Sequence, residues 1–241
     1  MAVFAPSSLN LKIWSAGGRV WVKNWNAFTD IRANDGIIQI EGMKADKLSI
    51  GCVSCNADLK DIHSSVRFLG GAGKVSLENA KGRTIYVETS TGSQKLAHIQ
   101  GEQLYVSKKG PIEGQYLTGK VEFHSQEAPV DLREISGFLS GTAETGNVLA
   151  RIRDWKATDQ AIIETIRGNI SIVFPDDLSA DADVWSVGGV TTLEYPLVQS
   201  QDARVYGPEP INHRVGRIGD GGELLRVFSE HGDVSVIKGK I

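Results

Sequence analysis

The feature that most constrains this chain is a short apolar repeat in its first half. Two apolar residues that flank one variable residue recur at steps of 18, 19, 19 and 17 residues, at Leu48/Ile50, Val66/Phe68, Ile85/Val87, Leu104/Val106 and Val121/Phe123. A spacing of two places both apolar side chains on the same face of a strand. A second, similar ladder lies between these pairs, so the pattern predicts one short strand about every nine or ten residues.

A strand pair of this length cannot bury its apolar face alone, but coils stacked on one another bury a continuous core. The repeat therefore predicts an all-β, single-stranded β-solenoid (β-helix) with about 18–22 residues per coil. An antiparallel sandwich is the competing prediction. Its hairpins favour Asn-Gly and Asp-Gly turns, yet Asp35-Gly36 is the only such pair before Asp220-Gly221, which favours the solenoid.

Three segments depart from the repeat. Residues 1–30 contain three tryptophans and are predicted to be N-terminal capping strands, followed by a solenoid domain over 31–241. Residues 199–213 are predicted to be a loop insertion outside the repeat. Residues 158–167 could begin a helix at an N-cap, but the alternation of Ala161, Ile163 and Thr165 favours a strand.

Composition and charge exclude several classes of protein. Apolar residues make up 41% and charged residues 23% of the chain, which is typical of a folded globular protein. Residues 1–120 carry a net charge of +5 and residues 121–241 one of −8, but neither half has a Lys/Arg run, so no nucleic-acid partner is expected. The charge split could orient copies head to tail in a homo-oligomer. The sequence contains no run of 18 apolar residues, so no transmembrane helix is predicted.

The first residues do not resemble a signal peptide, because no basic segment precedes an apolar one. The expected location is therefore the cytoplasm, or the cell envelope or exterior if a leader once preceded this sequence.

The two cysteines, Cys52 and Cys55, are too few for a disulfide scaffold. At a spacing of three they would point to opposite faces of a strand, so one buried and one exposed thiol is expected. A single C-x-x-C pair is also a weak pattern for zinc. Whether the pair has a redox role stays open.

The densest group of carboxylates comprises Asp176, Asp177, Asp181 and Asp183. Asp181 and Asp183 would share one strand face and could hold a hard cation. Because Pro175 indicates an exposed turn, where aspartate is favoured by its own backbone bonding, we expect no metal site and keep these two residues as the only metal candidates.

Alignment of the coils reveals no column of acids, because the middle residues of the apolar pairs are Ser49, Arg67, Tyr86, Tyr105 and Glu122. We therefore expect no catalytic residues, no cofactor and no enzyme activity. Tyr86 and Tyr105 would lie one coil apart on one exposed face. They could bind a sugar ring as a surface site or simply pair across strands, and the second alternative is the more common one.

The second half resembles the adhesin-like β-strand-repeat family of bacterial envelope proteins. The resemblance is carried by residues 168–175 (GNISIVFP), 180–190 (ADADVWSVGGV) and 221–236 (GGELLRVFSEHGDVSV), and extends to 36–160 only in rhythm. It implies a right-handed β-solenoid, often exported, with an adhesin or surface-scaffold role. The motif contains no catalytic residues to carry over.

These observations lead to three ranked hypotheses. The first is a non-enzymatic, adhesin-like solenoid that presents a surface for binding protein or carbohydrate at the cell envelope. The second is a self-assembling structural protein, suggested by the charge split. The third is a polysaccharide lyase or hydrolase of the β-helix type, suggested only by the chemistry of other β-helices.

Overall fold

The computed structural model describes residues 5–156, 158–198 and 212–239. Across these residues it contains seventeen strands and no helix. The strands of the first part are β1 (Leu11–Ser15), β2 (Arg19–Lys23), β3 (Thr29–Ala72), β4 (Val75–Thr89), β5 (Gln94–Ser107), β6 (Ile112–Ser125), β7 (Val130–Ser136), β8 (Leu139–Thr145) and β9 (Val148–Asp154). The remainder are β10 (Ala161–Arg167), β11 (Ile170–Phe174), β12 (Ala180–Ser186), β13 (Thr191–Leu193), β14 (Leu197–Val198), β15 (His213–Ile218), β16 (Leu224–His231) and β17 (Val234–Lys238).

The strands wind into a β-solenoid of about nine turns, which confirms the predicted fold class. As far as β11, each turn pairs in parallel with the next at an offset of one coil: Gln94 lies beside Ile112, and Ile112 beside Val130. The strand predicted within residues 158–167 is also confirmed, because β10 covers Ala161–Arg167.

The core is a stack of inward-facing residues, and most predicted apolar pairs belong to it, including Leu48/Ile50 and Val66/Phe68. The pair Leu104/Val106 was predicted wrongly. Gln103 and Tyr105 occupy the inner positions of that coil instead. The reason is an extra residue at the corner of the preceding coil, in β4. It shifts the pairing register of β4 with β5 between Lys81 and Thr84, so that Tyr105 lies beside Val87.

Two kinds of corner turn the chain. At one corner, glycines stack on each other: a Cβ atom on Gly101 would lie 2.0 Å from the carbonyl oxygen of Gly82. At another, five successive coils place a non-glycine residue in the left-handed region, with φ between 53° and 56°, at Asp61, Asn79, His98, Tyr116 and Glu134. The backbone conformation at this corner is thus the same from coil to coil, whereas the residue type differs in each coil.

The N-terminal strands belong to the solenoid itself. β1 and β2 pair in parallel with β3, with Leu11 beside Thr29 and Arg19 beside Ile37. These are the same offsets that later coils use. The parallel ladder begins at Leu11, so the segment predicted as capping strands over 1–30 supplies the first rungs of the ladder that continues over 31–241.

The C-terminal coils are not stacked in sequence order. β16 lies between β10 and β12, and β17 lies between β11 and β13, all in parallel. β15 then pairs antiparallel with the outer edges of β12 and β14. Of the loop predicted over 199–213, residues 199–211 lie outside the described residues, and His213 begins β15.

Candidate functional site

The site that the fold assembles most clearly lies on the outer face of β16, β12 and β15. Asp183 on β12 lies beside Arg226 on β16, and two residues further along the strand Trp185 lies beside Phe228. On the other side of β12, His213 of β15 lies beside Trp185. We call these five residues the C-terminal cluster.

The charged part of the C-terminal cluster is centred on one carboxylate. His213 Nε2 donates a hydrogen bond of 2.8 Å to Asp183 Oδ1, and Arg226 Nε donates one of 3.2 Å to Asp183 Oδ2. Each carboxylate oxygen of Asp183 therefore accepts one hydrogen bond, one from an imidazole and one from a guanidinium. The two bonds fix the side chain of Asp183. The His213 and Arg226 side chains stay 32% and 40% exposed, so that a ligand in solvent can reach both.

The aromatic part of the C-terminal cluster is a row of three rings. The Trp185 ring centroid lies 4.7 Å from that of Phe228 and 5.4 Å from that of His213. All three residues are half-buried, because each packs against its neighbours while keeping one side in solvent. An aromatic surface beside hydrogen-bonding charged groups can hold a ligand that has both apolar faces and polar edges.

The metal candidates do not form a metal centre. Asp183 is satisfied by His213 and Arg226, and Asp181 is exposed on the same strand face. Asp176 and Asp177 lie in the exposed turn after β11. Among the described residues, no group of three or more His, Cys, Asp and Glu side chains is placed to hold a metal ion.

The two candidate surface tyrosines do not share a face, so that prediction was wrong. The register shift at Lys81 and Thr84 turns Tyr105 into the core, where it is fully buried, and leaves Tyr86 outside. Burial raises the pKa of the Tyr105 phenol well above its usual value. Partial burial and the hydrogen bond to Glu88, 2.6 Å long, raise the pKa of Tyr86 to about 12.

The two cysteines also differ from expectation. Cys52 and Cys55 are both buried, and they are joined in a disulfide with their Cα atoms 5.9 Å apart. The prediction of one exposed thiol assumed a continuous strand. Val53 and Ser54 between them are both exposed, so the alternation of inward and outward residues is broken at a corner of the coil within β3, and both cysteines face the core.

Sequence reasoning missed four of the five residues in the C-terminal cluster. The signal was present in part, because Asp183-x-Trp185 and Arg226-x-Phe228 have the same spacing of two, which places each pair on one strand face. What the sequence did not reveal is that the two segments are neighbours, nor that a reversed strand brings His213 beside them.

In the described residues, no helix is long and apolar enough to cross a membrane. The fold and the C-terminal cluster define a parallel β-solenoid repeat protein with an outward-facing aromatic and charged surface. The family model for Toastrack DUF4097 matches residues 65–237, and the chain belongs to that family. No curated protein and no solved structure matches the chain.

Proposed function

We propose that this chain is a non-enzymatic binding module that holds a carbohydrate at the bacterial cell envelope, in an adhesin-like role. The observation that carries the proposal is the row of Trp185, Phe228 and His213 beside the Asp183–Arg226 ion pair. A sugar ring offers an apolar face that can stack on an indole and hydroxyls that can bond to a carboxylate and a guanidinium. The cluster lies on an open sheet face, which suits a chain-like ligand.

The disulfide supports a location outside the reducing cytoplasm. Disulfides persist in the periplasm and on cell surfaces, whereas cytoplasmic thiols are kept reduced. Both cysteines of the chain are in this one bond, and both are buried. Thiol-alkylation mass spectrometry on protein taken directly from bacterial cells tests this part. An oxidised pair in the envelope fraction supports it, and free thiols in a cytoplasmic fraction contradict it.

The ligand is tested by a glycan array with purified protein, followed by calorimetric titration of each positive glycan. The decisive variant is Trp185→Ala, which removes the central ring; we expect affinity to fall by about tenfold or more, as is usual for an aromatic side chain at the centre of a binding surface. The matched control is Trp14→Ala, because Trp14 is a tryptophan on the outer surface as well (84% exposed) but lies on the first coil, far in sequence from the C-terminal cluster. It should bind like the parent protein.

Three results would count against the proposal. A blank array would end the carbohydrate assignment and leave a protein ligand. Equal binding by the Trp185→Ala variant would place the site elsewhere. Cleavage of any acidic polysaccharide in the panel, with calcium present, would show an enzyme.

A further inference from the structure

The C-terminal strand pair fills a slot between two other coils. β16 and β17 lie between the coil formed by β10 and β11 and the coil formed by β12 and β13. In sequence, the coil on the far side of this slot comes before the strands that fill it. The coil of β12 and β13 is therefore held on the solenoid by strands that follow it in the chain.

The two walls of the slot are in register with each other. Leu225 of β16 lies beside Ala161 on one side and beside Ala182 on the other. Ala161 and Ala182 are 21 residues apart, and the preceding coil step, from Leu139 to Ala161, is 22 residues. By spacing alone, β12 could pack directly on β10. The slot is thus an opening within an otherwise regular ladder.

The three layers carry the same kind of inner side chains. Each presents two apolar residues and then a hydroxyl: Ala161, Ile163 and Thr165 on β10; Leu225, Val227 and Ser229 on β16; and Ala182, Val184 and Ser186 on β12. Because the inner faces match, the slot is complementary to the two apolar residues and the hydroxyl of β16. The β16 strand of any copy of the chain can therefore fill it.

Hydrogen bonds across the slot tie both of its walls to the insert. Ser229 Oγ donates to the Gly168 carbonyl at 3.0 Å, and Ser186 Oγ donates to the Gly232 carbonyl at 2.7 Å. An empty slot would lose these bonds and expose the edges of four strands, β10 and β11 on one side and β12 and β13 on the other, which is a state that readily recruits another strand.

The donor strands are joined to the slot by a long connection. Fourteen residues separate Val198 at the end of β14 from His213 at the start of β15. A connection of that length can span at most about 45–50 Å. Neighbouring strands lie only about 4.8 Å apart, so this maximum length is about tenfold the step between adjacent layers and does not oblige the donor strands to fill the slot of their own chain.

From these relationships we infer that residues 213–239 form an exchangeable unit, which can fill the slot of a second copy of this chain and produce a strand-exchanged dimer. Exchange keeps the strand pairings that β15, β16 and β17 make in the closed monomer and alters only which chain supplies these strands. The dimer is therefore favoured by high protein concentration and by refolding from denaturant, when slots and donors are open together.

The test uses full-length chains with single cysteine substitutions on the outer face. Ser171 of β11 lies beside Ser235 of β17, and strand neighbours of this kind are close enough for a disulfide. The Ser171→Cys and Ser235→Cys chains are mixed, unfolded and refolded together at high concentration under oxidation. Peptide mapping then measures the 171–235 disulfide between chains. A single chain that carries both substitutions, refolded when dilute, shows that the pair can form within one molecule.

The matched control is a mixture of Leu149→Cys and Ser171→Cys chains. Leu149 of β9 also lies beside Ser171, but this contact joins two coils that follow each other in sequence. We expect the interchain 171–235 link to exceed the interchain 149–171 link by about tenfold or more, since an occupied slot holds its thiols at high effective concentration. Equal yields of the two links, or a 171–235 link found only within single chains, would overturn the inference.

Discussion

Cys52 is joined to Cys55 across a corner that later coils close with a hydroxyl group. The Cys52 corner lies under Gly71 and Gly73, and one step along the ladder Gly70 lies beside Thr89, which lies beside Ser107. In a later coil, Ser125 Oγ donates a 2.7 Å hydrogen bond to the Ala128 carbonyl, three residues on. One coil thus uses a covalent bond where others use a hydrogen bond.

This equivalence predicts how the disulfide can be replaced. The Cys52→Ala/Cys55→Ala variant should lose about 2 kcal/mol of unfolding free energy, the chain-entropy value for so short a loop. The Cys52→Ser/Cys55→Ala variant copies the Ser125–Ala128 corner and should regain about 1 kcal/mol of that loss, the net contribution of one hydrogen bond. Urea unfolding of the three proteins measures both differences. Identical midpoints for the two variants would show that the corners are not equivalent.

The stacked glycines predict a sharp contrast between two alanine substitutions. Gly101 has φ of +137°, and a Cβ atom there would lie 2.0 Å from the Gly82 carbonyl oxygen, so Gly101→Ala must displace backbone. We expect a loss of about 3 kcal/mol or more in unfolding free energy. Gly17→Ala is the control, because nothing lies within 4 Å of a Cβ atom at that position. Thermal unfolding should separate the two, and comparable melting temperatures would contradict the close approach.

The buried tyrosine predicts a specific cost when its hydroxyl is removed. Tyr105 donates a 2.6 Å hydrogen bond to Gln103 Oε1 inside the core, while Gln103 Nε2 donates to the Thr118 carbonyl at 2.9 Å. Tyr105→Phe leaves Gln103 Oε1 without that donor and should cost about 1–3 kcal/mol. Tyr86→Phe, whose hydroxyl bonds to Glu88 near the surface, should cost less at neutral pH. The reverse order in urea unfolding would refute the assignment of the inner face.

The same two phenols predict a loss of stability in alkali. The pKa of Tyr86 is raised to about 12, and burial raises the pKa of Tyr105 well above its usual value, whereas an unfolded tyrosine ionises near 10. The folded state therefore prefers the protonated phenols. Their contribution is complete below about pH 10 and declines as the pH rises through the folded-state values. Urea midpoints measured between pH 8 and 12 should fall above pH 10, and less steeply in the Tyr86→Phe variant. A profile that stays flat to pH 12 would be inconsistent with these shifts.

Much of the fold could be predicted because a solenoid repeats local rules. The apolar pairs from Leu48 to Phe68 are buried as expected, and β10 follows from its alternation. A further periodic signal lies in the charges: Lys60 pairs with Glu78, and Lys95 with Glu113, each 18 residues apart. Such pairs are exposed and add little stability, but they mark the length of one coil.

The errors arose where one residue changes a register or where the chain leaves its sequence order. A single extra residue near Lys81 moved Tyr105 from the predicted surface into the core. The C-terminal cluster depends on β16 entering beside β12 and on β15 running in reverse, and neither follows from local spacing. Asp183 was therefore found as a cation candidate, while the partners that define its role were not.

The placement of β16 also determines the order in which the parts of the chain can fold. As the polypeptide is made, the strands from β3 to β11 can each add to the layer before them as soon as they emerge. The coil of β12 and β13 cannot reach its final position in this way, because the layer beneath it consists of residues 224–238, which are synthesised later. Completion of this end of the molecule waits for a contact between distant parts of the chain, and such contacts form slowly. In a nascent chain stalled between residues 198 and 224, the coils up to β11 would thus be folded, while the coil of β12 and β13 would not yet have reached its final position.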